Sequence, residues 1–165
     1  MAWDFETDPE FQEKLDWMDG FVREKVEPLG LLGIHPYDVK NPRRNKLVRP
    51  LQEEVKARGL WACHLGPELG GQGYGQVKLG LMNEILGGAS FAPIVFGCQA
   101  PDTGNAEIIA HCGTPEQKTR YLEPLLEKKI VSAFSMTEPQ GGSDPTSFVP
   151  RAEPDGDGEN GGWKI

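Results

Sequence analysis

The sequence predicts a mainly α-helical domain over residues 1–129, followed by the first strands of a β region over 130–165. Three observations carry that reading. Apolar residues recur at helical spacing through the first part of the chain. Helix-start signals precede those runs. After Lys129 the texture changes to short, partly β-branched stretches separated by glycine and proline.

The first helix is predicted to start at "TDPEF", with Asp8 as N-cap and Pro9 at the first helical position, where a missing N–H costs nothing. Phe11, Leu15, Met18, Val22 and Val26 then form one apolar stripe, and Pro28 with Gly30 is expected to end it. A connecting loop is expected over 30–45. "KNPRRNKLVR" is read as a solvated loop leading into a helix, with a phosphate-contacting patch as its alternative. The second helix is expected over about 47–58, with Leu47, Leu51 and Val55 on one face. Pro50 must then lie in its first turn, and Gly59 stops it.

"GPELGGQGYGQ" is a glycine-rich loop without the GxxxxGK[ST] pattern of a nucleotide-hydrolase phosphate loop. A third helix over 77–86 shows Val77, Leu81 and Ile85. Beyond it, a turn at 100–103 leads to a short helix ending near His111, with Gly113 as C-cap. "TPEQ" is a capping-box signature: Thr114 caps the next helix, Pro115 starts it and Gln117 reaches back. Pro124 is expected to end or kink that helix near Leu122. Strands are expected over 130–136, over 147–154 and at "WKI", with "DGDGENGG" as a turn.

With 165 residues and a net charge of −8, the chain lacks the basic face a nucleic-acid binder uses to neutralise phosphates. Three cysteines without CxxC spacing argue against a disulfide framework or a zinc site and point to a reducing cytoplasm; no metal site is expected. The N-terminus has no signal-peptide pattern and no apolar run is long enough to span a membrane.

"AFSMTEPQGGSDPT" holds the densest candidate chemistry. Thr137 and Ser143 supply hydroxyls, Gly141 and Gly142 let backbone N–H groups approach a ligand, and Pro139 and Pro145 restrict the loop. Successive N–H groups in such a bend can cradle a pyrophosphate, but the residues alone favour the plainer reading, a β-turn with local Ser and Asp hydrogen bonds.

"FSMTEPQGGSD" resembles the flavin-binding signature of the acyl-CoA dehydrogenases. "PELGGQGYG" is similar to a loop of that family's N-terminal domain, and "FAPIVFGCQAPDTGNAEIIAHCGTPEQKTRYLEPLL" resembles a subgroup whose animal members can be fused to a phosphotransferase-like domain. The resemblance implies an N-terminal helical domain, a middle β domain that is incomplete here, and a C-terminal helical domain that is absent. It implies FAD as cofactor, an acyl-CoA substrate of fatty acid metabolism (β-oxidation), an electron-transfer flavoprotein or similar acceptor, and a homo-oligomer, dimer or tetramer, at full length.

By position in the motif, the resemblance places Phe134 against the flavin region, Met136 with backbone contacts to the ring and Thr137 in a hydrogen bond to it. Gly142 and Ser143 would meet the pyrophosphate, and Ser143 would also lie near the acyl-CoA thioester arm. Phe134 departs from the Tyr common elsewhere, and Gln140 from a common Gly. The family's catalytic base, a glutamate of the C-terminal bundle, lies beyond this chain, and Glu138 is read as a structural carboxylate. The isolated chain is therefore expected to be inactive, marginally stable and prone to self-association through uncovered strand edges. Two alternatives stand beside this: a non-catalytic helical interaction module, and a binder of FAD or acyl-CoA without turnover.

Overall fold

The computed structural model describes residues 7–67, 71–156 and 161–165. Asp8 begins α1 (Pro9–Phe21): its carboxylate accepts the Phe11 N–H at 2.9 Å and Pro9 occupies the first turn. All five residues of the expected stripe are buried, and Phe21 joins them. The helix does not stop at Pro28. A π-helical turn, Val22–Val26, passes into a 3₁₀ segment, Glu27–Leu32, which ends at Gly33 with φ +63°.

The reason for the π turn recurs farther along the chain. A proline ring collides with the carbonyl four residues back and offers it no N–H. Widening the turn just before the proline moves the carbonyls out of that register. The Glu27 N–H reaches the Val22 carbonyl ahead of Pro28, and the Glu123 N–H reaches the Lys118 carbonyl ahead of Pro124. So α6 (Pro115–Gln117) leads through a π turn, Lys118–Leu122, into α7 (Glu123–Leu126), and Pro124 redirects the helix without ending it. The capping box at α6 forms as the sequence predicts, Thr114 and Gln117 bonding each other's backbone N–H.

The second helix starts earlier than expected. The Asn41 side chain accepts the N–H groups of Arg43 and Arg44, so α2 spans Pro42–Ala57. Pro50 falls inside it, on the exposed side, where the carbonyl it leaves without a donor can face water. The helix ends as predicted, with Gly59 in the left-handed region at φ +67°. Its buried face runs through Arg44, Val48, Gln52 and Val55, so the segment carrying the arginines is helix and not solvated loop. In α3 (Gly75–Leu86) the buried residues are Met82 and Leu86, whereas Val77 is 80% exposed. Glu68, Leu69 and Gly70 of the glycine-rich loop lie outside the described residues.

The short α4 (Ala92–Val95) and α5 (Asp102–Cys112) complete the helical unit, Met1–Ser132. The buried Gln52 amide donates to the Ile94 carbonyl at 3.1 Å, tying α2 to α4. A large apolar cluster joins α1 to α4, and a smaller one gathers Ala106, Ala110, Leu122 and Leu125. Trp61 links the two: its ring packs on the first cluster, and its indole N–H donates to the Leu126 carbonyl at 3.2 Å. Gly97, at φ +71°, lies so near Trp61 that any Cβ there would stand 2.7 Å from the ring.

The second unit, Ala133–Ile165, holds a small antiparallel ladder. β1 (Glu153–Asp155) pairs with β2 (Gly162–Lys164) in the register Glu153↔Lys164, Pro154↔Trp163 and Asp155↔Gly162. The expected strand at "WKI" is therefore present, and the one over 147–154 shrinks to its last part. Residues 130–136 form no ladder: an extended run is a strand only when a second strand pairs with it, and among the described residues none does, the Ser132 N–H going instead to the Asp102 carboxylate at 2.9 Å. Of the turn between β1 and β2, residues 157–160 lie outside the described residues.

Candidate functional site

The bend after Met136 is built by the chain itself. Glu138 and Gly141 exchange backbone hydrogen bonds of 3.0 and 3.1 Å, closing a tight turn over Pro139 and Gln140. One Glu138 carboxylate oxygen accepts the Val149 N–H at 2.9 Å and the Gln140 amide as well. Asp144 starts a 3₁₀ turn, Pro145–Ser147, accepting the Thr146 N–H at 2.9 Å and its hydroxyl at 2.6 Å. Those two donors hold the Asp144 carboxyl below its usual range. The acidic side chains of the loop are thus occupied in shaping it.

The donors left over are the ones singled out in the sequence. The hydroxyls of Thr137 and Ser143 make no hydrogen bond among the described residues, nor do the N–H groups of Met136, Thr137, Gly142 and Ser143. The turn brings Thr137 against Gly142, where an added Cβ would meet the Thr137 methyl at 3.1 Å. Glycine there keeps the two backbones close. Phe134 and Met136 lead into the bend with 55% and 50% of their surface exposed. Ser143 lies just past the turn and is exposed. An uncharged set of amide and hydroxyl donors, flanked by apolar side chains, suits a flat heteroaromatic ring joined to a pyrophosphate.

Elsewhere, burial pushes the thiols of Cys63 and Cys98 up to about 12 and about 11, so neither is a ready nucleophile at neutral pH. Among the described residues no helix is long and apolar enough to cross a membrane.

Residues 8–129 match the profile of the acyl-CoA dehydrogenase N-terminal domain. The chain belongs to the acyl-CoA dehydrogenase family. It is 39% identical to acyl-CoA dehydrogenase family member 10 of Mus musculus over 144 residues, covering 84% of this chain and 14% of that protein. To acyl-CoA dehydrogenase family member 11 of Gallus gallus it is 45% identical over 115 residues, covering 69% and 14%. A solved Mycobacterium abscessus structure assigned to the acyl-CoA dehydrogenases superposes with a TM-score of 0.72 at 34% identity, over 94% of this chain and 40% of that one. The chain thus spans well under half the length of each of these relatives.

The helical unit carrying the family match is the part legible from the sequence, and the mainly α fold stands. Sequence reasoning flagged the arginines of "KNPRRNKLVR" but preferred a solvated loop, and so missed that they stand on α2 with Arg44 buried. The signal was present: two arginines in a helix's first turn with no acidic residue beside them.

Proposed function

We propose that this chain is the N-terminal portion of an FAD-dependent acyl-CoA dehydrogenase, an oxidoreductase removing two hydrogens from the α and β carbons of an acyl-CoA thioester. The observation that carries this reading is the family match over residues 8–129, continuous with a loop in which the hydroxyls of Thr137 and Ser143 and the N–H groups of Met136, Thr137, Gly142 and Ser143 have no partner among the described residues. FAD, when bound, supplies the hydride acceptor for the β carbon. Thr137 and the Met136 backbone would hydrogen-bond its ring, Phe134 would lie against the flavin region, and Gly142 and Ser143 would hold its pyrophosphate. Ser143 also meets the thioester arm of the substrate. The chain's residues therefore bind and orient.

None of these residues is placed to take a proton from the α carbon. Glu138 is the loop's one carboxylate within the flavin signature besides Asp144, and it is engaged with Val149 and Gln140. The 165-residue chain alone is accordingly inactive in this reading, and the whole reaction, with an electron-transfer flavoprotein or similar acceptor, belongs to a longer homo-oligomeric protein. A reducing cytoplasmic setting is part of the proposal, in keeping with three free cysteines.

Titration of the purified chain with FAD, followed by flavin fluorescence and visible absorption, tests the cofactor assignment. Saturable quenching is expected, weakened in Thr137→Val and in Gly142→Val. No saturable change in the unaltered chain would sink it, and a partner protein captured by a flavin-free chain would favour the interaction-module reading instead.

A further inference from the structure

The helical unit contains a cavity of about 540 Å³ that the flavin loop does not touch. It lies along α2, with the segment 127–131 as its other wall and Ile94 and Gln99 between. Its size is that of a small-molecule site.

Its charge is unbalanced. Arg44, Arg49, Lys56, Lys128 and Lys129 line it, against only two carboxylates, Glu53 and Glu127. Those carboxylates are taken, Glu53 by Lys56 at 2.8 Å and Glu127 by Lys129 at 2.5 Å. Lys128 is answered by the buried Asp102 at 3.1 Å. The two guanidiniums remain without an ion-pair partner among the described residues.

Arg44 is the telling one. It is only 7% exposed, yet its side chain is met by neutral groups alone: Nε donates to the Pro36 carbonyl and one terminal nitrogen to Asn45, both at 2.9 Å. Burial lowers its pKa first of all, Asp38 opposes that without forming an ion pair, and the Arg49 charge adds to it. The two arginines therefore feel one another's charge. A buried cation without a counter-ion is costly, and folded proteins normally pair it.

The start of α2 adds to the positive character of this end of the helix. Arg43 and Arg44 sit in the first turn of α2, the positive pole of a 16-residue helix that carries no acidic residue there. Cations at that pole are unfavourable, and anions favourable. One anion in the cavity answers Arg44 and Arg49, while the first N–H groups of α2 are already capped by the Asn41 side chain. Val39, Ile94, Ile130 and Val131 give the cavity an apolar wall far larger than a bare anion needs.

We propose that this cavity binds a phosphate monoester, with its phosphoryl dianion held by Arg44 and Arg49 and its organic part against Ile94 and Val131. Guanidinium forks match phosphoryl oxygens bidentately, which distinguishes this pair from two lysines.

Isothermal titration calorimetry of the 165-residue chain with phenyl phosphate, inorganic phosphate and benzyl alcohol tests it. Phenyl phosphate is expected to bind saturably at one site, roughly tenfold tighter than inorganic phosphate, because the ring adds apolar burial. Arg49 is exposed, so Arg49→Gln should fold normally and lose about tenfold or more in phenyl phosphate affinity. Arg44→Lys keeps the charge and loses the fork, and should also bind more weakly. No saturable heat with phenyl phosphate would overturn the proposal, as would unchanged affinity in a folded Arg49→Gln. Equal affinity for inorganic phosphate would overturn the ester, and equal affinity for benzyl alcohol the anion.

Discussion

The helical unit is markedly richer in apolar residues than the unit after it, and the two stand in opposite relation to water. In Met1–Ser132, Met18, Val26, Val48, Val55 and Val95 are completely buried. In Ala133–Ile165 no described residue is buried, and Phe134, Met136, Val149, Trp163 and Ile165 are each at least half exposed. Hydrophobicity of single residues therefore does not make a core. The helices close several layers on one another, whereas one short hairpin has only two faces and nothing to set against either.

The largest expected contrast is in hydrogen exchange. Amides of α1, α2 and α5 should open only with the helical unit as a whole, while those around Thr137 and Ser143, which have no acceptor, should exchange within about tenfold of an unstructured peptide. Strong protection at Thr137 in the monomeric chain would erase the distinction. Side-chain truncation should follow the same division. Met18→Ala, at a fully buried site, should cost about 2–5 kcal/mol in chemical denaturation. Phe134→Ala should change stability by no more than ~0.5 kcal/mol while reducing self-association in sedimentation runs.

The smallest effect is a pH dependence confined to the helical unit. Both ring nitrogens of His64 are buried without a hydrogen-bond partner among the described residues. Burial, with Lys128 adding to it and Glu107 opposing, holds its pKa below the usual 6.5. The unfolded chain therefore takes up that proton more readily than the folded one. Stability from this source is fully present above pH 6.5 and falls as pH drops through the window beneath it. In His64→Phe this part of the acid loss should vanish, and an unchanged acid limb would count against the assignment.

What could be read directly were features fixed by neighbours in sequence. The Asp8 and Thr114 caps, the Gly59 stop and the stripe on α1 each need only a few adjacent residues, and each appears. The loop residues were legible in the same way, since Thr137, Gly142 and Ser143 bear donors whatever surrounds them. The start of α2 was misread because Pro50 was required to lie in a first turn, although Asn41 and Pro42 made a better one. Residues 130–136 were read as a strand from composition, which says nothing of whether a neighbour is there to pair.

The sequence by itself determined the helical class, the cap positions and the family signature, because local backbone chemistry and residue order suffice for these. Tertiary structure alone decided which face of α3 turned inward. That helix carries Val77, Leu79, Leu81, Met82, Ile85 and Leu86, an apolar arc of rather more than half its circumference, so periodicity does not say that Met82 and Leu86 turn inward and Val77 outward. It also decided that Arg44 is buried beside Arg49 on a cavity wall. Burial belongs to the packing of distant segments, here α2 against residues 127–131, and no window along the chain contains both.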